Sequence, residues 1–218
     1  MKISPYKSTD KDLWDQFVEG SKNGTFLFLR DYMDYHKDRF SDSSLFIRNA
    51  KNIPIALFPA NYVESEKLVV SHGGLTYGSL LLSYEATAMD IGKMWEEIRR
   101  YYKHLGADLL HLKTIPYIYH KEELYWLFRF GAKLLSRGLS SVVDLRNPLS
   151  FSKLRKRKVK MAQQSSLELM LNAPLSYYSE FWTILEKVLL SYHNTLPVHS
   201  LEEILLLVQY FPQNIQLA

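Results

Sequence analysis

SLFIRNAKNIPIALFPA, residues 44–60, decides how this chain folds. Two apolar runs, 44–48 and 53–60, flank the polar tetrapeptide Asn49-Ala50-Lys51-Asn52. Runs rich in β-branched and aromatic residues around a short polar break read as two strands joined in a hairpin. A hairpin makes antiparallel neighbours. A doubly wound parallel sheet alternates single strands with helices and leaves no room for one.

Working outward, Thr9-Asp10-Lys11-Asp12 reads as a helix start. Leu13, Trp14 and Phe17 then recur at helical spacing, and Gly20 ends the helix. A shorter helix is expected over 30–38, carrying Tyr32, Tyr35 and His36. Downstream, 67–71 reads as a strand, so three antiparallel strands follow two helices. Residues 89–105 place Ile91, Met94, Trp95, Ile98 and Tyr102 on one face, with Gly106 as the stop. A strand over 109–113, a helix over 121–130 and strands over 132–137 and 141–145 follow. Beyond these come a basic helix over 150–163, a strand over 166–171 and an amphipathic helix from Tyr178 to Tyr192. Ser200-Leu201-Glu202-Glu203 opens a last helix as a capping box. Mixed order with hairpins predicts an α+β fold.

The bulk properties bound the function. At 218 residues the chain is one large domain or two small ones. An aromatic share of 14% indicates a sizeable core and argues against disorder. The absence of cysteine excludes disulfides, thiolate metal sites and a Cys nucleophile. No apolar run approaches the length of a spanning helix, and the polar start MKISPYKSTDKD lacks the apolar core of a signal peptide. We therefore expect a cytoplasmic protein without a membrane partner. The net charge of +4 is a weak sign of an anionic partner.

Three stretches carry a family resemblance: NGTFLFLRDYMDYH at 23–36, ELYWLFRFGAKLLSRGLSSVVDL at 123–145 and LRKRKVKMAQQSSLELML at 154–171. With the element order, they resemble the GNAT N-acyltransferase superfamily, and more narrowly its FemAB-like branch of two GNAT-like domains in tandem. The resemblance implies a mixed, mostly antiparallel sheet flanked by helices over 1–138. A second GNAT-like domain then starts at 139–218 and is incomplete. It further implies transfer of an acyl or aminoacyl group to a small-molecule or peptide amine. The donor would be acyl-CoA such as acetyl-CoA, or aminoacyl-tRNA. The other reading is a non-catalytic binding module on a GNAT-like scaffold. No residue is assigned as the catalytic base or oxyanion donor.

SHGGLTYGSLL, residues 71–81, follows the strand at 67–71. A GNAT enzyme holds the CoA pyrophosphate on backbone N–H groups where a strand enters a helix, which is an anion at a helix N-terminus. Its motif is Arg or Gln, two residues, Gly, one residue, then Gly or Ala. Here no Arg or Gln leads and the Gly spacing differs. The following helix starts about ten residues later. No Gly-Lys-Ser/Thr makes it a P-loop either. Gly73, Gly74 and Gly78 are better read as permitting positive φ and close backbone approach in a cleft-lining connection. His72 and Tyr77 are then the side chains that would meet a substrate.

The basic helix places Lys153, Arg155, Lys156, Arg157, Lys158 and Lys160 within eight residues. Most fit a solvated face. At about 100° per residue, however, Phe151, Leu154, Met161 and Ala162 share one side with Lys158 at its middle and Arg155 at its margin. Those two either snorkel around apolar neighbours or contact an anion such as the donor. No histidine pair has metal-ligand spacing, so no metal is expected. Tyr117 and Tyr119, in the Tyr-rich segment leaving the strand at 109–113, are candidate cleft residues. The apolar end at Ile215 and Leu217 reads as a strand start, so we expect no acyl transfer by this chain alone and a tendency to form a homodimer.

Overall fold

The computed structural model describes residues 1–116, 118 and 124–218. They form two compact units: Met1–Ala132 with Leu206–Asn214, and Lys133–Leu205 with Ile215–Ala218.

In the first unit the chain runs through β1 (Lys2–Pro5), α1 (Lys11–Glu19), α2 (Arg30–Asp34), β2 (Leu45–Arg48) and β3 (Pro54–Phe58). It continues through β4 (Asn61–Val63), β5 (Leu68–Val70), β6 (Leu81–Leu82), α3 (Ala88–His104), β7 (Leu109–His111) and α4 (Leu124–Arg129). The expected hairpin is β2–β3, with Leu45 opposite Phe58 and Ile47 opposite Ala56. Its turn is built by Asn49, whose Oδ1 accepts the N–H groups of Lys51 (2.9 Å) and Ile53 (3.0 Å), while Asn52 takes the left-handed φ of 64°.

Residues alternate across that sheet with period two. Leu45, Ile47, Ala56, Phe58 and Leu82 join the buried face of α3 (Ile91, Met94, Trp95, Ile98, Tyr102). Phe46, Leu57 and Leu81 point the other way, against Trp14 and Val18 of α1 with Phe28 and Met33. Both faces are covered, so the strands read as unbroken apolar runs. α3 starts at a capping box in which Thr87 Oγ1 accepts the Asp90 N–H (3.3 Å) and the Asp90 carboxylate accepts the Thr87 N–H (3.1 Å).

The pairing differs from the expected meander of three antiparallel strands. β1, β2, β3 and β6 form one antiparallel sheet; β4, β5 and β7 form a second, with β5 and β7 parallel. β3 and β5 are not neighbours. The α3 crossover returns the chain beside β5 in the same direction, as a parallel pair requires. α2 is also shorter than the expected 30–38, and turns follow it.

The second unit holds α5 (Lys153–Gln163) and α6 (Ser176–His193), and α7 (Leu201–Tyr210) begins in it. Ser152 caps α5, its Oγ accepting the Arg155 N–H at 3.2 Å. Ser200 and Glu203 form the expected capping box of α7. The expected strands over 132–137, 141–145 and 166–171 are irregular backbone instead. Leu135, Val143, Leu145 and Leu169 are exposed there. Apolar alternation makes a strand only when another strand satisfies its N–H and C=O groups. The fold is α+β, with mostly antiparallel sheets flanked by helices.

Candidate functional site

Residues 71–78 lie where the parallel strands β5 and β7 end. The Ser71 N–H donates to the His111 carbonyl (2.9 Å), and Ser71 Oγ accepts the Lys113 N–H (2.8 Å). The Gly78 N–H donates back to the Lys113 carbonyl (2.6 Å). The Lys113 ammonium donates to the carbonyls of Gly73 (3.0 Å) and Leu75. One residue leaving β7 thus ties down both ends of the loop. Burial holds the Lys113 ammonium below the usual lysine range.

Three of the loop's N–H donors, those of Gly73, Leu75 and Gly78, are engaged elsewhere. The Gly73 N–H goes to Asn61 Oδ1 (2.6 Å) and the Leu75 N–H to the His72 carbonyl (3.2 Å). A pyrophosphate cradle needs converging free N–H groups. Here those of Gly73, Leu75 and Gly78 are bonded, and two carbonyls face a cation. These residues do not fit a CoA pyrophosphate.

Positive φ was the wrong half of the glycine reading. None of Gly73, Gly74 and Gly78 is left-handed; His72 is, at φ 61°. Close approach was the right half. A Cβ on Gly73 would lie 2.7 Å from Phe40 Cε1, and one on Gly74 would overlap His36 Nε2. The turn places its left-handed residue one position before the glycines, which then press against these rings.

His72 is buried, 5.5 Å from the His36 ring and 5.6 Å from the Phe40 ring between centroids. Burial, reinforced by His36, pulls its pKa down to about 3, against the opposing pull of Asp42. The ring is therefore neutral near pH 7, and its Nδ1 has no hydrogen-bond partner among the described residues. Tyr77 has a different neighbour, the Phe28 ring at 5.9 Å. Tyr117 and Tyr119 lie outside the described residues. Arg155 and Lys158 stand on α5, in which no residue is buried. The side carrying Leu154 and Met161 is open, so the helix offers these cations an exposed surface.

Sequence reasoning missed Arg30. It is buried, with its guanidinium 3.8 Å from the Tyr6 ring centroid and 5.3 Å from that of Trp14. It donates to Asp34 and to Asp42 (2.7 Å). The Arg30-Asp34 spacing of four was the available signal. Among the described residues no group of three or more His, Asp or Glu could hold a metal ion. An open cleft of about 590 Å³ runs beside Phe40, Asn61 and Gly73, and another of about 550 Å³ lies between the end of α3 and β7.

No family model and no curated protein matches this chain. Solved structures do match. The crystal structure of FemX is similar over 96% of this chain and 54% of its own, with a TM-score of 0.53 and 12% identity. This chain shares its fold with FemX. At that identity the likeness is one of fold, and this chain spans about half the length of FemX. A tetramutant of the BH1408 protein from Bacillus halodurans covers 66% of this chain and all of its own, with a TM-score of 0.44 and 14% identity. A transcriptional regulator from Bacillus halodurans C-125 covers 65% of this chain and 98% of its own, with a TM-score of 0.40 and 13% identity. Among the described residues no helix is long and apolar enough to cross a membrane.

Proposed function

We propose that this chain is a scaffold of FemAB-like N-acyl transfer, moving an acyl or aminoacyl group to an amine on a small molecule or peptide. The observation carrying this reading is the similarity of fold to FemX over 96% of this chain. In such a transfer the amine nitrogen bonds to the carbonyl carbon of a thioester or ester. The thiol or ribose hydroxyl departs, and the amine gives up a proton. The reaction needs a base and hydrogen-bond donors for the developing oxyanion.

Residues 72–78 do not fit a pyrophosphate, and for the donor's anion we propose instead Arg155 and Lys158, which stand on the exposed helix α5 of the second unit beside Leu154 and Met161. Calorimetry with acetyl-CoA, and filter binding with aminoacyl-tRNA, tests this. Arg155→Gln with Lys158→Gln should abolish binding and leave the melting temperature nearly unchanged. Equal losses from Lys156→Gln with Lys160→Gln would show that diffuse charge alone matters.

The loop tied to Lys113 favours a second reading, a non-catalytic binding module on the same scaffold. Steady consumption of acetyl-CoA with an amine acceptor decides for the enzyme. Failure of both donors to bind decides for the module.

A further inference from the structure

The cleft beside the glycine loop carries features that acyl transfer does not use. Its walls come from three places: the turn after α2 (Lys37, Arg39, Phe40), the edge strand β4 (Asn61, Tyr62) and the ends of β5 and the loop (Val70, Gly73). At about 590 Å³ it lies in the range that takes a small organic molecule. One wall is apolar or aromatic and the rim is charged.

Asn61 is the informative residue. It is only 3% exposed. The Gly73 N–H is a donor, so the Asn61 atom it meets must be the carbonyl oxygen, at 2.6 Å. That contact fixes the orientation of the amide. The NH2 group is left at the other end, with no hydrogen-bond partner among the described residues, and it is not one of the sealed polar atoms of the interior. A donor that is open to solvent on a cleft wall can exchange water for the acceptor of a ligand. The residue lines the cleft, and the rim brings the cations of Lys37 and Arg39 against the single acid Asp38.

We propose that this cleft binds a small carboxylate-bearing molecule with an apolar body. The carboxylate accepts from the Asn61 NH2 and is neutralised by Lys37 and Arg39. The apolar body lies on Phe40 and Val70. One neutral donor, two cations and a neighbouring acid suit a monoanion; a dianionic phosphate would meet repulsion from Asp38. The inference does not rest on the acyl-transfer reading, because it needs neither donor nor reaction.

The test is a ¹H–¹⁵N titration of the whole chain with 3-phenylpropionate, its neutral analogue 3-phenylpropanamide, and phenyl phosphate. Phenylpropionate should saturate, with shifts centred on the Asn61 side-chain NH2 and the Gly73 amide. The neutral amide should bind on the order of tenfold more weakly, as expected when a charge-assisted hydrogen bond is lost. Asn61→Asp keeps the acceptor for Gly73 and replaces the donor by a negative charge, so it should abolish the titration. If that variant fails to fold, Lys37→Gln with Arg39→Gln, both at exposed positions, should weaken binding by about tenfold. Scattered shifts, equal binding of the neutral amide, tighter binding of phenyl phosphate, or no saturation would each overturn the proposal.

Discussion

Gly74 lies so close to the imidazole of His36 that no side chain fits between them: a Cβ built on Gly74 would overlap Nε2 and approach Phe40 Cε2 to 2.8 Å. His36 is itself buried and stacked on Tyr35 at 4.1 Å between centroids, so the ring has little room to yield. Gly74→Ala should therefore destabilise the protein by roughly 1–3 kcal/mol, the usual cost of overpacking a filled site. Urea denaturation would show a lowered midpoint with an unchanged slope. An unaltered midpoint would mean that the loop moves freely away from His36.

His72 makes stability depend on pH in a definite direction. Its folded pKa is about 3, below the ordinary 6.5, so the unfolded chain takes up the proton first. The contribution is fully present above about pH 6.5 and is lost as pH falls towards 3. Between pH 7.5 and 5 the native state should lose roughly 2 kcal/mol through this residue. His72→Asn tolerates the left-handed backbone and does not titrate, so it should remove that part of the acid sensitivity. Parallel pH profiles for the two proteins would sink the assignment.

Lys113→Met keeps much of the side-chain volume and deletes the ammonium bonds to Gly73 and Leu75. Amide hydrogen exchange in residues 73–78 should speed up by at least about tenfold, because those bonds close the loop onto the end of β7. Exchange in α3 should not change. Unchanged exchange in the loop would show that Ser71 and Gly78 hold it without the ammonium.

Arg30→Ala leaves Asp34 and Asp42 facing a space lined by Tyr6 and Trp14. The guanidinium is buried, but both carboxylates reach solvent, with side-chain exposures of 36% and 27%. The loss should be about 3 kcal/mol, at the low end for breaking a buried pair. Arg30→Lys should recover only part of it, since an ammonium cannot stack flat on Tyr6 while serving two carboxylates. Full recovery by lysine, read from thermal melts, would contradict the geometry.

The hairpin at 44–60, α1, α3 and the capping box at Ser200 were legible because each combines a long periodic pattern with its own start or stop residue. β1, β4 and β6 were not. They span two to four residues, too few for any period to register, and only their neighbours make them strands. The segments 132–137, 141–145 and 166–171 failed in the opposite way, with a good pattern and no partner. At the candidate site the glycine cluster drew attention to the right place. What matters there is the set of residues it meets, His36, Phe40, Asn61 and Lys113. They stand between 12 and 40 positions away along the chain, and spacing alone does not reveal them.

The sheet of β1, β2, β3 and β6 has one more consequence. In a sheet with a wet face, a strand that slips by one residue puts apolar groups into water, and that penalty enforces alignment. Here Phe46 on one side and Leu45 and Ile47 on the other are all enclosed, so a slip would exchange one dry environment for another. Alignment must come from shape and from the loop between the strands. Asn49, with both N–H contacts on a single carbonyl oxygen, acts as the phasing device of the molecule. Its replacement should show first as a mixture of alignments, and only secondly as a loss of stability.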